Sequence, residues 1–254
     1  MNDRRTRHSR DELRVLLLDT GRAILQEEGL GTGAEALTFK KVFDRLEQET
    51  GIRLTNASVI RRVWQNQAEY QSDVLVGVAL AQNEDEFERT AAVVAPVLSA
   101  ADRTTLAGRQ AALRDLCRTG AEANLEAMRE STNWPLWISV WGLAAGREPL
   151  AYRNEIEAAL VTGYESFNER IEAIYTAVIA FLGLRIRPPF TLRQFTVAAD
   201  SLGQGFGLRD RVDGYYNTVV VRPTGPDGQE QEWTVFAVAF EALVNQFFEF
   251  DPDG

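Results

Sequence analysis

From residue 50 to residue 68 the chain carries no carboxylate, although it has 37 acidic against 27 basic side chains and a formal net charge of −10. Arg53, Arg61 and Arg62 fall inside this stretch. Cations cleared of neighbouring carboxylates suit a polyanion, and duplex DNA is a dense line of phosphate charge. Thr55, Asn56, Ser58, Val59 and Gln65 are interleaved with the arginines. Asn and Gln pair with adenine, Arg pairs with guanine, and valine packs on a thymine methyl. Arg4, Arg5 and Arg7, with Arg10, form a basic arm suited to a phosphate backbone or a minor groove. Lys40 and Lys41, the two lysines of the chain, complete the candidate DNA-binding set. Overall acidity does not oppose this, because charges more than about 8–10 Å away are screened at physiological salt.

Other chemistries are poorly supplied. There is one histidine, His8, and one cysteine, Cys117. Zinc sites built from His and Cys clusters are excluded, and a Ser-His-Asp triad would rest on His8 alone. The Asp and Glu residues are scattered as on solvated helix faces. No catalytic residue, metal ligand or cofactor is expected, and the chain is read as a non-enzyme. Gly29, Gly31 and Gly33 have no strand before them and no Gly-Lys-Ser/Thr after them, so they read as a helix stop and not as a phosphate loop. Cys117 is expected to be a buried, inert thiol. No apolar run reaches eighteen residues and the N-terminus lacks a signal-peptide apolar region, so a soluble cytoplasmic protein is expected.

Charge divides the chain. Residues 1–80 hold 12 basic and 12 acidic side chains, and the remaining 15 basic and 25 acidic residues carry the whole −10. Apolar residues recur at three and four throughout, which predicts an all-α protein. Ser9 and Glu12 make a capping box ahead of a first helix to about Glu28. A second helix starts near Thr38 and ends at Gly51; Thr55 or Asn56 caps a third containing Val59, Ile60 and Val63; a fourth runs from Tyr70 to Leu80. Helix, short turn and capped helix is the helix-turn-helix arrangement, whose second helix offers its N-terminal residues to base edges. The predicted division is a three-helix DNA-binding domain over 1–75 and a larger helical domain over 76–254.

In the larger part, Asn133 and Pro135 open a helix carrying Trp134, Trp137 and Trp141. A long helix follows over about 155–183. Another starts at Thr191 and holds Leu192, Phe195, Leu202 and Phe206. A last one carries Trp233, Phe236, Phe240, Leu243 and Phe247. Val219–Val221 and the turn-rich residues after them predict a small hairpin at most.

The segments QEEGL and LTFKKVFDRLEQETGIRLTNASVIRRVW, over 26–30 and 37–64, resemble the DNA-binding domain of the tetracycline-repressor (TetR) family of bacterial regulators. Gly51, Ile52 and Thr55 stand where that family opens its recognition helix. NWPLWISVWGLAAGREP, FTLRQFTVAADSLGQGFGLR and EWTVFAVAFEALVNQFFEFDP resemble the regulatory domain of actinobacterial members. Ile60, Val63 or Trp64, and Asn66 or Gln67 stand where the family commonly has a Tyr, a Phe and a Lys. The resemblance implies a dimeric DNA-binding regulator with a ligand cavity in its larger domain.

The aromatic and aliphatic seam at Leu192, Phe195, Leu202, Phe206, Trp233, Phe236, Phe240, Leu243 and Phe247 exceeds what one neighbouring helix covers. A homodimer burying it in a four-helix bundle is expected. Met128, Trp134, Trp137, Trp141, Tyr164 and Phe167 are the candidate lining of an apolar effector cavity. The leading reading is a dimeric regulator, a repressor released by a small hydrophobic molecule, with an operator DNA as its partner. The alternative is a helical ligand- or protein-binding module whose degenerate helix-turn-helix no longer reads DNA.

Overall fold

The computed structural model describes residues 9–31, 37–54, 62–81, 84–147, 149–214, 218–225 and 228–251. These are mostly helical, with two small antiparallel ribbons. The helices are α1 (Arg10–Glu28), α2 (Phe39–Thr50), α3 (Gln67–Leu80), α4 (Glu84–Ala100), α5 (Leu106–Glu130), α6 (Trp134–Ala145), α7 (Arg153–Leu182), α8 (Leu192–Val212) and α9 (Val235–Phe247). The strands are β1 (Leu184–Ile186), β2 (Val219–Arg222), β3 (Gln231–Thr234) and β4 (Phe248–Phe250). The chain forms two compact units, Met1–Gln82 with Thr132–Tyr164, and Asn83–Ser131 with Glu165–Gly254. The first unit is thus discontinuous: residues 132–164, which the sequence division assigns to the larger domain, return to it.

In the first unit the caps explain the helix limits. Ser9 and Glu12 close a reciprocal capping box on α1, with Oγ of Ser9 accepting from the Glu12 N–H at 3.1 Å. Thr38 caps α2 by accepting from the Lys41 N–H. Gly51 ends α2 in the left-handed region at φ 71°, a conformation that strains any residue with a Cβ. Asn66 caps α3, so that helix begins at Gln67 and not near Tyr70. Asn133 does not cap α6; its Oδ1 instead accepts from Gln26 Nε2 at 2.5 Å. The core unites Leu13 and Leu17 of α1, Val42 and Leu46 of α2, Tyr70 and Val74 of α3, Val140 of α6 and Ile156 of α7. The third predicted helix begins within residues 55–61, which lie outside the described residues; Arg62 and Val63 form a turn.

The second unit is organised on α5, which packs against α4, α8 and α9. Thr105 starts α5 and Thr191 starts α8, the latter through a capping box with Gln194. β1 pairs with β4 (Leu184 opposite Phe250), and β2 pairs with β3 (Val219 opposite Thr234). The second ribbon is the small hairpin expected from Val219–Val221. β4 follows directly on the last helix, which stops at Phe247, and Trp233, expected within that helix, lies in β3 before it begins.

Four of the nine seam residues are buried within one chain, and the other five are partly buried. Phe195, Trp233, Phe236 and Phe247 are 9% exposed or less. Leu192, Leu202, Phe206, Phe240 and Leu243 are partly buried against the same core. The neighbour that sequence spacing did not supply is α5, whose Cys117, Ala121 and Leu125 are buried in that cluster.

Candidate functional site

The basic candidates of the first unit divide by their surroundings. Arg4, Arg5, Arg7, Thr55, Asn56, Ser58, Val59 and Arg61 lie outside the described residues. Lys40 is exposed, with Nζ 2.6 Å from Asp44 Oδ2, and that hydrogen bond raises its pKa. Lys41 pairs with Glu28. Both lysines thus have a carboxylate partner, which reduces the charge they offer to phosphate. Arg53 is exposed, 3.6 Å from Glu47, and Arg62 and Gln65 are exposed as well. The Gln65 N–H donates to Glu69 Oε2 at 2.5 Å, so that carboxylate, just beyond the acid-free stretch, is turned back onto the chain. Arg53 and Arg62 stand on either side of residues 55–61.

The six residues predicted to line one ligand cavity are divided between the two units. Trp134 is buried in the first unit. Trp137 and Trp141 meet edge-on at 5.7 Å, and Trp141 meets Tyr164 at 6.1 Å in the same unit. The two partly buried indoles pack on that unit's core, so this is an aromatic cluster of the fold. Met128 and Phe167 belong to the second unit, and there they do line a cavity.

That cavity has a volume of about 130 Å³ and is walled by α4, α5, α7, α8 and α9. An apolar cavity of about 150 Å³ stays dry and accepts benzene, so this space fits one compact apolar group. Six rings reach it: Phe167, Tyr175, Phe195, Phe236, Phe240 and Phe248. The polar groups are few. Thr196 Oγ1 is occupied by Leu192 O at 3.0 Å, and Gln204 Nε2 donates to Asp200 Oδ2 at 2.6 Å. Cys117 also lines the space, and its thiol is pushed well above its ordinary pKa, first by burial and then by the Glu241 charge.

Sequence patterns do not mark Asp200 or Asn124, they mark Cys117 only as a buried thiol, and they place Phe195, Phe236 and Phe240 in a dimer seam. The signal that finds the cavity is the small residues facing those rings, Gly120 and Ala121 on α5 and Gly203 on α8, all of which line it. A Cβ on Gly203 would sit 3.3 Å from Asn124 Oδ1 and 3.4 Å from Met128 Cε.

Among the described residues, no three His, Cys, Asp or Glu side chains converge as a metal site, and no helix is long and apolar enough to cross a membrane. No protein-family model matches the chain, and no curated protein matches it.

Proposed function

We propose that the protein is a DNA-binding transcriptional regulator of the tetracycline-repressor type, released from its operator by a small apolar molecule held in the cavity of the second unit. The observation that carries the DNA-binding half is the exposure of Arg53 and Arg62 on either side of residues 55–61, within a stretch free of carboxylates. The cavity lined by six rings supports the effector half. Release would operate by population shift: the effector binds better to the form with low operator affinity, and by linkage the operator weakens the effector. Two half-sites call for a symmetric pair of chains.

The test is selection of bound fragments from a genomic library, followed by a gel shift with the DNA upstream of the protein's own gene. Discrete retained fragments are expected, and recovery of none would remove the DNA-binding half. A second reading, a ligand-binding module without DNA recognition, is favoured by the carboxylates engaging Lys40 and Lys41. It predicts ligand binding with no retained DNA.

A further inference from the structure

We infer, on the reading of the second unit's cavity as a ligand site, that it takes a single neutral ring bearing a short apolar substituent, and that the substituent lies against the bare backbone at Gly120 of α5. Gly120 lines the cavity and sits well inside α5, where glycine is among the poorest helix formers. Its backbone does not require glycine, because its φ is not in the positive region. Its neighbours do not require it either: an added Cβ would meet no atom within 4 Å outside its own helix backbone. The missing side chain therefore leaves open space on the cavity wall. Gly203, on the same wall, is different. A Cβ there would sit 3.3 Å from Asn124 Oδ1 and 3.7 Å from Phe236 Cζ, so that glycine admits side chains of the protein itself.

The rest of the wall defines what that space holds. Leu113, Leu116, Cys117 and Asn124 of α5 also line the cavity, and Gly120 falls within the arc of the helix that they occupy. Leu116 stands one turn before it and Asn124 one turn after, so the absent side chain makes a notch between them. Most of the lining is aliphatic or aromatic, which favours an uncharged ligand, since a charged one would lose its hydration there. The six rings offer edge-on and offset contacts to a further ring. The volume of about 130 Å³ is close to the ~150 Å³ that accepts benzene, so one ring fills the enclosed part and a fused pair does not. A substituent on that ring needs room of its own. At Gly120 a ligand carbon can approach the helix backbone without displacing any side chain.

The experiment is calorimetric titration of the full chain and its Gly120→Ala variant with benzene, toluene and ethylbenzene. In the native chain each added carbon is expected to tighten binding about threefold, so ethylbenzene binds best. Gly120→Ala should leave benzene within about twofold and weaken ethylbenzene at least about tenfold, which removes that gain. The melting temperature of the variant, followed by circular dichroism, should rise by about 2–4 °C, because alanine favours the helix and meets open space. Loss of the fold or a lower melting temperature would overturn the inference, since the Cβ would then have no room. Tighter native binding of benzene than of ethylbenzene would overturn it as well, as would an equal change, or no change, for all three probes in the variant. In each of these cases binding by the native chain keeps the cavity as a ligand site. Binding of none of the three by the native chain removes both the inference and the ligand reading.

Discussion

The indole Nε1 of Trp64 donates to Asp73 Oδ2 at 2.7 Å, and the same oxygen accepts from Arg14 Nη2 at 2.8 Å. Trp64 is 2% exposed and meets the Tyr70 ring edge-on at 4.9 Å, while the Tyr70 hydroxyl donates to Leu17 O at 2.9 Å. The chain leaving residues 55–61 is thereby fastened to α3 and α1. Gly51 ends α2 before that segment, and Trp64 is the buried residue that follows it.

Trp64→Phe keeps a ring but removes the donor, and should cost about 1–2 kcal/mol. Trp64→Ala should cost about 3–5 kcal/mol, because it also opens a cavity beside Tyr70. Urea unfolding followed by circular dichroism reads both. Equal stability of Trp64→Phe and the native chain would mean that the hydrogen bond to Asp73 contributes nothing.

Two helical glycines should respond in opposite directions. At Gly21 an added Cβ would collide with the Tyr70 hydroxyl and stand 2.9 Å from Val74 Cγ2. Gly21→Ala should destabilise by about 1–3 kcal/mol as α1 and α3 are forced apart. At Gly205 in α8 nothing lies within 4 Å, so Gly205→Ala should stabilise by about 0.5–1 kcal/mol through helix propensity alone. Thermal unfolding of the two variants checks the pair.

Those glycines also show what spacing reveals and what it hides. Gly203, Gly205 and Gly207 follow one another at intervals of two in α8. Gly203 and Gly207 are buried, but Gly205 faces open space, because three residues at intervals of two cannot share one helical face. Local signals were legible: the Ser9 capping box, Thr38, Gly51 and the limits of α2 follow from residue chemistry within a turn. Long-range packing was not. Nothing in the pattern of α9 announces that α5 covers Phe236, and nothing in Trp134, Trp137 and Trp141 separates an aromatic cluster of the core from a ligand wall. Residues such as Asp200 became visible only when the cavity showed which of many carboxylates faces rings.

Cys117 is expected to resist thiol reagents. It is 2% exposed and burial holds its thiol in the neutral form, so the reactive thiolate is scarce at pH 8. A disulfide reagent should label it in denaturant and not in the native chain over the same minutes. The linked pH effect has a definite sign. A thiol whose folded pKa is raised binds its proton more tightly in the native state, so its contribution is complete below the ordinary value of 9.0 and declines as pH rises above it. Tyr70, raised by burial from 10.0, acts in the same direction. Stability measured in urea should therefore fall between about pH 9 and pH 11. Rapid native-state labelling at pH 8 would show that the cavity wall opens.

The most direct test of a DNA-binding function is the salt dependence of binding to a duplex from upstream of the protein's own gene. Fluorescence anisotropy would compare the native chain with the double variant Arg61→Ala, Arg62→Ala. Phosphate contact by these arginines predicts that affinity falls linearly with the logarithm of salt concentration, and that the double variant either loses binding or shows a slope smaller by about two. No binding to duplex DNA at low salt, or a slope and affinity unchanged in the double variant, would contradict it.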